Sequence, residues 1–159
     1  MTISISFAQE HEELDVINIL TEYQMGYPGE IDEVLVAKDE GEIVGGAKIS
    51  QCDEGLFFLE VIGVKEGLQT QGVGKALLST ILEDPWECCK EVFWEKGIDN
   101  EFTLATLARG YAVGFYEKMG FKPCTLEDIP EWYRDQCGEC PDQDKCQPVP
   151  MIYYGGKNK

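Results

Sequence analysis

Leu59-Glu60-Val61-Ile62-Gly63-Val64, followed five residues later by Gln69-Thr70-Gln71-Gly72-Val73-Gly74-Lys75-Ala76-Leu77-Leu78, is the stretch from which the fold is read. Its first part closes a run from Leu56 to Val64 that is apolar except for Glu60. A strand with apolar residues on both faces belongs in the centre of a sheet. In its second part Val73, Ala76, Leu77, Thr80 and Ile81 fall on one face of a helix. A glycine-rich turn between a buried strand and an amphipathic helix exposes backbone N–H groups at a helix N-terminus. Those donors and the helix dipole suit a pyrophosphate. Gly72 and Gly74 have no side chain to block the approach, and Lys75 adds positive charge. The same residues also fit an ordinary tight strand-to-helix turn. Two rival phosphate motifs fail. A P-loop has four residues between its first glycine and Gly-Lys-Ser/Thr, whereas six separate Gly67 from Gly74-Lys75 and Ala76 follows. A dinucleotide fingerprint has glycine or alanine three residues after its second glycine, where this chain has Leu77.

Working outward, Ile3, Ile5 and Phe7 alternate with serines, as in a half-buried strand. From about Glu10, Leu14, Ile17 and Leu20 recur at helical spacing, and Met25 to Gly29 breaks the helix. Val34–Ala37 and Ile43–Ile49 flank Asp39-Glu40-Gly41 and read as a hairpin. Pro85 closes the helix that follows Gly72, and residues 86–100 read as loop with a short helix. Phe102–Leu107 is a strand. Ala112, Phe115, Tyr116 and Met119 mark the next helix face, with Gly120 as its left-handed stop. A strand near Phe121–Cys124, a short helix within Glu127–Arg134 and a last strand at Met151–Tyr154 complete the chain. Strands alternating with helices around an apolar central strand give an α/β sandwich, partly antiparallel because of the hairpin.

At 159 residues the chain fits one domain. No stretch reaches the roughly 18 apolar residues of a membrane span, and residues 1–7 lack the marks of a signal peptide. A cytoplasmic protein without membrane association is expected. Thirty acidic against thirteen basic residues give a formal charge of −17. That charge repels phosphate backbones and argues against a nucleic-acid partner. It suits a cationic substrate, and equally an acidic surface kept for solubility.

Together the strand, the Gln69–Gly74 turn and the run Ala112-Val113-Gly114-Phe115-Tyr116-Glu117-Lys118-Met119-Gly120-Phe121 resemble the GNAT superfamily of N-acetyltransferases. The strand and turn are similar to its acyl-CoA motif, Q/R-x-x-G-x-G/A after a strand. The run from Ala112 to Phe121 is similar to its helix with F-Y-E-K-x-G-F. The resemblance covers roughly residues 3–124. It implies a mixed, partly antiparallel sheet flanked by helices on both faces, in a single domain over residues 1–159. The implied reaction moves an acetyl group from acetyl-CoA to an amine of a small molecule, amino acid or protein. Ile62, Gly63 and Val64 are then expected to hold pantetheine through the main chain, and Gln69, Thr70, Gln71, Gly72, Val73, Gly74 and Lys75 to hold the pyrophosphate. Tyr116 matches the family's general acid. Glu60, an acid inside an apolar strand, is a candidate base or a satisfied structural carboxylate. Arg109 stands where the family often has asparagine, and His11 reads as a surface residue. Dimers are frequent in the family, so a homodimer is among its implications. An alternative reading is a non-catalytic GNAT-fold module that senses acyl-CoA or metal.

Of seven cysteines, Cys137, Cys140 and Cys146 cluster as C-x2-C-x5-C. Zinc is one reading, with Cys124, Asp142 or substrate as a fourth ligand. A redox pair and inert thiols are the others. Residues 125–148 are expected to form a cysteine-containing insertion before the last strand, capping the acceptor side.

Overall fold

The computed structural model describes residues 2–21, 29–68, 72–98, 100–108, 112–130 and 149–156. Its strands are β1 Ile3–Phe7, β2 Leu35–Asp39, β3 Glu42–Asp53, β4 Leu56–Val64, β5 Phe102–Ala108, β6 Lys122–Pro123 and β7 Val149–Gly155. They form one seven-stranded sheet in the order β1-β2-β3-β4-β5-β7-β6. β4 and β5 run parallel, while β1–β2, β2–β3, β5–β7 and β6–β7 are antiparallel, so the sheet is mixed as expected. The helices are α1 Glu13–Thr21, α2 Val73–Glu83, α3 Pro85–Cys88 and α4 Val113–Lys118. Among the described residues no helix is long and apolar enough to cross a membrane. Contacts gather the chain into two compact units, Met1–Ser50 with Leu59–Val92 and Gln51–Phe58 with Phe93–Lys159.

In the first unit the β2–β3 hairpin turns through Glu40 and Gly41, both at positive φ (51° and 85°). Two such residues match the right-handed twist of the flanking strands. α1 packs through Val16, Ile19 and Leu20 into a core with Ala8, Ile31, Val34, Val36, Ile43 and Val61. This corrects two of the three expected positions: Leu14 is 69% and Ile17 40% exposed, whereas Leu20, as expected, and Val16 are each 1% exposed. The helix carries two apolar stripes at helical spacing. The sheet selects the one in phase with Glu12, whose buried carboxylate must meet Lys38 of β2 at 2.6 Å.

α2 turns Val73, Leu77, Leu78 and Ile81 fully inward. Gly45 and Gly46 of β3 fix the two layers. A Cβ on Gly45 would lie 2.8 Å from Val73 Cγ1 and 3.2 Å from Leu77 Cδ1, and one on Gly46 3.9 Å from Val16 Cγ1. Successive strand residues point to opposite faces, so α2 and α1 lie on opposite sides of β3. α2 ends at Glu83, just before Pro85, as expected, and Pro85 also opens α3 with Asp84 as its N-cap, whose side chain accepts from the Glu87 amide at 3.4 Å.

In the second unit β5 pairs with β7 from Phe102↔Gly155 to Ala108↔Val149. Phe58, Ala105, Ile129 and Ile152 form the core there. The final strand is longer than its apolar run suggested, and it lies between β5 and β6. Among the described residues no further helix or strand lies between α3 and β5. The buried Gln51 side chain holds the loop at Phe93 and Trp94. Its Oε1 accepts from both amides at 2.8 and 2.9 Å, and its Nε2 donates to the Trp94 carbonyl at 2.6 Å.

Candidate active site

The strand–turn–helix unit reads as expected at its centre. β4 ends at Val64, and Gly72 caps α2 in the left-handed conformation (φ 85°, ψ 9°), which glycine adopts at no steric cost. Among the described residues the first intrahelical bond runs from the Ala76 amide to the Gly72 carbonyl at 3.0 Å. The amides of Val73, Gly74 and Lys75 therefore precede the bonded ladder, at the positive end of an eleven-residue helix. No acidic residue lies in that first turn, Lys75 is exposed, and a Cβ at Gly72 would meet nothing within 4 Å. The turn is sterically open and electrostatically suited to an anion. Gln69, Thr70 and Gln71 lie outside the described residues.

Gly45 seats this helix end. A side chain there would press on Val73 and come within 3.1 Å of the Gly63 carbonyl. Sequence reading placed Gly45 in a strand without a role, because its neighbours come from a helix 28 residues away. Of the expected pantetheine-holding residues, Gly63 and Val64 are buried and Ile62 is half-buried. The parallel ladder between β4 and β5 comprises Leu56↔Thr103, Phe57↔Leu104 and Phe58↔Ala105. β4 itself continues to Val64.

Glu60 is not alone. Lys48 Nζ of β3 lies 2.6 Å from its Oε1, and both side chains are about 95% buried. Ser50 Oγ donates to the same Oε1 in a short hydrogen bond, and Lys48 Nζ donates to Ser50 Oγ at 3.3 Å. Desolvated charges of opposite sign offset one another when close and fully hydrogen-bonded. The sequence contained a signal: one lysine in the apolar run of β3 and one acid in the apolar run of the adjoining strand.

Tyr116 lies in α4, in the second unit, whereas Glu60 and α2 lie in the first. It is 5% exposed and packs edge-on against Phe115 and Phe121, with ring centroids 5.3 and 5.2 Å away. Its carbonyl accepts from the Phe121 amide at 3.0 Å, and that of Glu117 from the Gly120 amide at 3.1 Å. With Gly120 at φ 100°, these bonds form a Schellman stop, as the sequence led us to expect.

Burial pushes the Cys88 thiol up to about 12, with the charges of Asp84 and Glu87 adding to the effect, and burial also raises Cys124. Neither is poised as a nucleophile. Among the described residues no three His, Cys, Asp or Glu side chains gather to hold a metal. Cys137, Cys140, Cys146 and Asp142 lie outside the described residues, as does Arg109.

The family model of the acetyltransferase (GNAT) domain matches residues 30–123. An uncharacterized N-acetyltransferase of Chlorobaculum tepidum is 25% identical over 122 residues, covering 77% of this chain and 70% of that protein. N-acetylglutamate synthase from Neisseria gonorrhoeae, complexed with coenzyme A and N-acetyl-glutamate, matches with a TM-score of 0.74 at 15% identity. The match covers 97% of this chain, which spans about a third (35%) of the synthase. Ard1 from Thermoplasma volcanium matches with a TM-score of 0.69 at 17% identity, over 98% of this chain and 99% of that one. The likenesses to solved structures agree with the fold, and the family match spans more than half of the sequence. The chain belongs to the GNAT family of acetyltransferases.

Proposed function

We propose that this protein transfers an acetyl group from acetyl-CoA to a primary amine by direct attack, without a covalent enzyme intermediate. The observation that carries the reading is the N-terminus of α2: an open left-handed Gly72, the amides of Val73, Gly74 and Lys75 ahead of the first helical bond seen among the described residues, and no acid in the first turn. These groups, with Gln69, Thr70 and Gln71, bind the pyrophosphate. The main chain of Ile62, Gly63 and Val64 takes the pantetheine arm. Coenzyme A in the gonococcal synthase structure supports the same donor here.

The amine nitrogen, as the free base, adds to the thioester carbonyl carbon. Its surplus proton passes to the Glu60 carboxylate, directly or through water. The C–S bond then breaks, and the departing thiolate takes a proton from the Tyr116 hydroxyl. Amide and free CoA leave, and solvent returns Glu60 and Tyr116 to their starting states. The formal charge of −17 favours a cationic acceptor, whether a small molecule, an amino acid or a protein amino group. Thiol release from acetyl-CoA over a panel of amines tests the proposal. Turnover with at least one amine is expected; no turnover with any, in folded protein that binds CoA, would overturn it.

A further inference from the structure

The geometry points to Lys48 and Ser50 as positioning residues that lock one oxygen of Glu60 and leave the other for the acceptor; this rests on Glu60 serving as the base. Lys48 and Ser50 are two apart on β3, so they share a face of the strand. Both converge on a single atom, Glu60 Oε1, and they bond to each other as well. Among the described residues Oε2 accepts no hydrogen bond. A carboxylate clamped through one oxygen cannot rotate freely, and its second oxygen keeps a fixed direction. A general base needs this, because its lone pair must meet the proton at hydrogen-bond distance in a defined line.

The burial of the group sharpens the argument. A carboxylate with a side chain only 4% exposed has little water to hold it in place. Lys48 supplies the opposite charge; its side chain is 5% exposed, and its ammonium has Glu60 and Ser50 as acceptors. When Glu60 takes the proton from the amine, Lys48 retains Ser50 Oγ as an acceptor. The ring of three groups therefore keeps its geometry through the proton transfer. A pair kept only for packing would not need Ser50, nor would it concentrate both donors on one oxygen.

A double-mutant cycle on the full chain tests this, read as kcat, KM for the amine and CoA affinity. Glu60→Gln is expected to lower kcat by about 100-fold. Lys48→Met should lower kcat by about tenfold or more, with CoA affinity within about twofold. Because Lys48 acts through Glu60, Lys48→Met combined with Glu60→Gln should be no slower than Glu60→Gln alone. Lys48→Arg, which keeps a cation beside Oε1, should recover part of the loss. Ser50→Ala leaves no buried charge unpaired, so it carries the test if Lys48→Met does not fold. Its expected loss in kcat is about three- to tenfold, and it too should vanish in the Glu60→Gln background. Losses that multiply in the double variants would overturn the positioning role while leaving Glu60 as the base. Wild-type turnover by Glu60→Gln would instead refute the base assignment itself.

Discussion

Replacing Gly45 by alanine adds a single methyl group, and the structure gives its neighbours. The new Cβ would stand 2.8 Å from Val73 Cγ1, about 0.6 Å inside the 3.4 Å at which ordinary contact begins. It would also lie 3.1 Å from the Gly63 carbonyl oxygen and 3.2 Å from Leu77 Cδ1. The carbonyl belongs to β4 and cannot move without disturbing the sheet. Val73 and Leu77 are fully buried, so neither can turn its methyls into solvent. The strain therefore falls on the first turn of α2, which must lift from β3. Overpacking of this kind costs about 1–3 kcal/mol. For a chain of this size that corresponds to a fall of roughly 2–12 °C in Tm. The displaced turn carries the amides proposed to bind pyrophosphate, so CoA affinity should fall about three- to tenfold, or roughly 0.7–1.4 kcal/mol. Thermal unfolding and calorimetric titration with CoA measure the two effects. Val73→Ala in the same background removes the closest contact and should restore part of both. Gly114→Ala is the contrasting control. Gly114 is exposed in α4 with nothing within 4 Å of its Cβ position, and the change should stabilise by about 0.5–1 kcal/mol. Gly45→Ala with wild-type Tm and CoA affinity would refute the reasoning. A loss of stability with unchanged affinity would separate the seat of α2 from CoA binding.

Other predictions follow from the same geometry. Tyr116→Phe should lower kcat by about 100-fold or more while CoA affinity stays within about twofold, as steady-state kinetics with calorimetry will show. Cys88 holds its proton more tightly folded than unfolded. Its contribution is complete below the ordinary thiol range and is lost as pH rises from there toward about 12, so Cys88→Ala should flatten the alkaline fall in Tm. Glu12 has the opposite sign: the hydrogen bond from Lys38 holds its carboxyl below the usual range. Its stabilisation is present above the ordinary carboxylate pKa and disappears as pH falls through the lowered one, and Glu12→Gln should flatten the acid limb of the Tm profile. Gln51→Ala, which removes three hydrogen bonds to Phe93 and Trp94, should cost about 1–3 kcal/mol in denaturant unfolding and change the Trp94 emission.

Local patterns carried most of the architecture. The alternation in β1, the Asp39–Gly41 turn, the apolar run of β4, the face of α2 at Val73, Leu77 and Ile81, and the stop at Gly120 all depend on residues near one another in sequence. Long-range contacts decided the rest. α1 offers two apolar stripes, and the buried one is fixed by long-range contacts: Val16, Ile19 and Leu20 pack into the core with Val34, Val36 and Ile43, and Glu12 meets Lys38 of β2. Glu60 was legible as an unusual acid, but its partners come from another strand, and two readings stayed open from sequence alone. Lys48 and Ser50 hold its Oε1, and Oε2 is the oxygen the base proposal depends on. Gly45 and Gln51 carried no sequence signal because their importance lies in what approaches them: a helix in one case, a loop backbone in the other.

Calorimetric titration of CoA into the full chain, compared with Gly72→Val, tests the central claim most directly. Valine at φ 85° strains the cap and blocks the approach to the amides of α2. Saturable binding of one CoA per chain, weakened at least about tenfold in a Gly72→Val protein that still unfolds cooperatively, is the predicted result. Absence of CoA binding in folded wild-type protein, or equal binding by the two, would contradict the account.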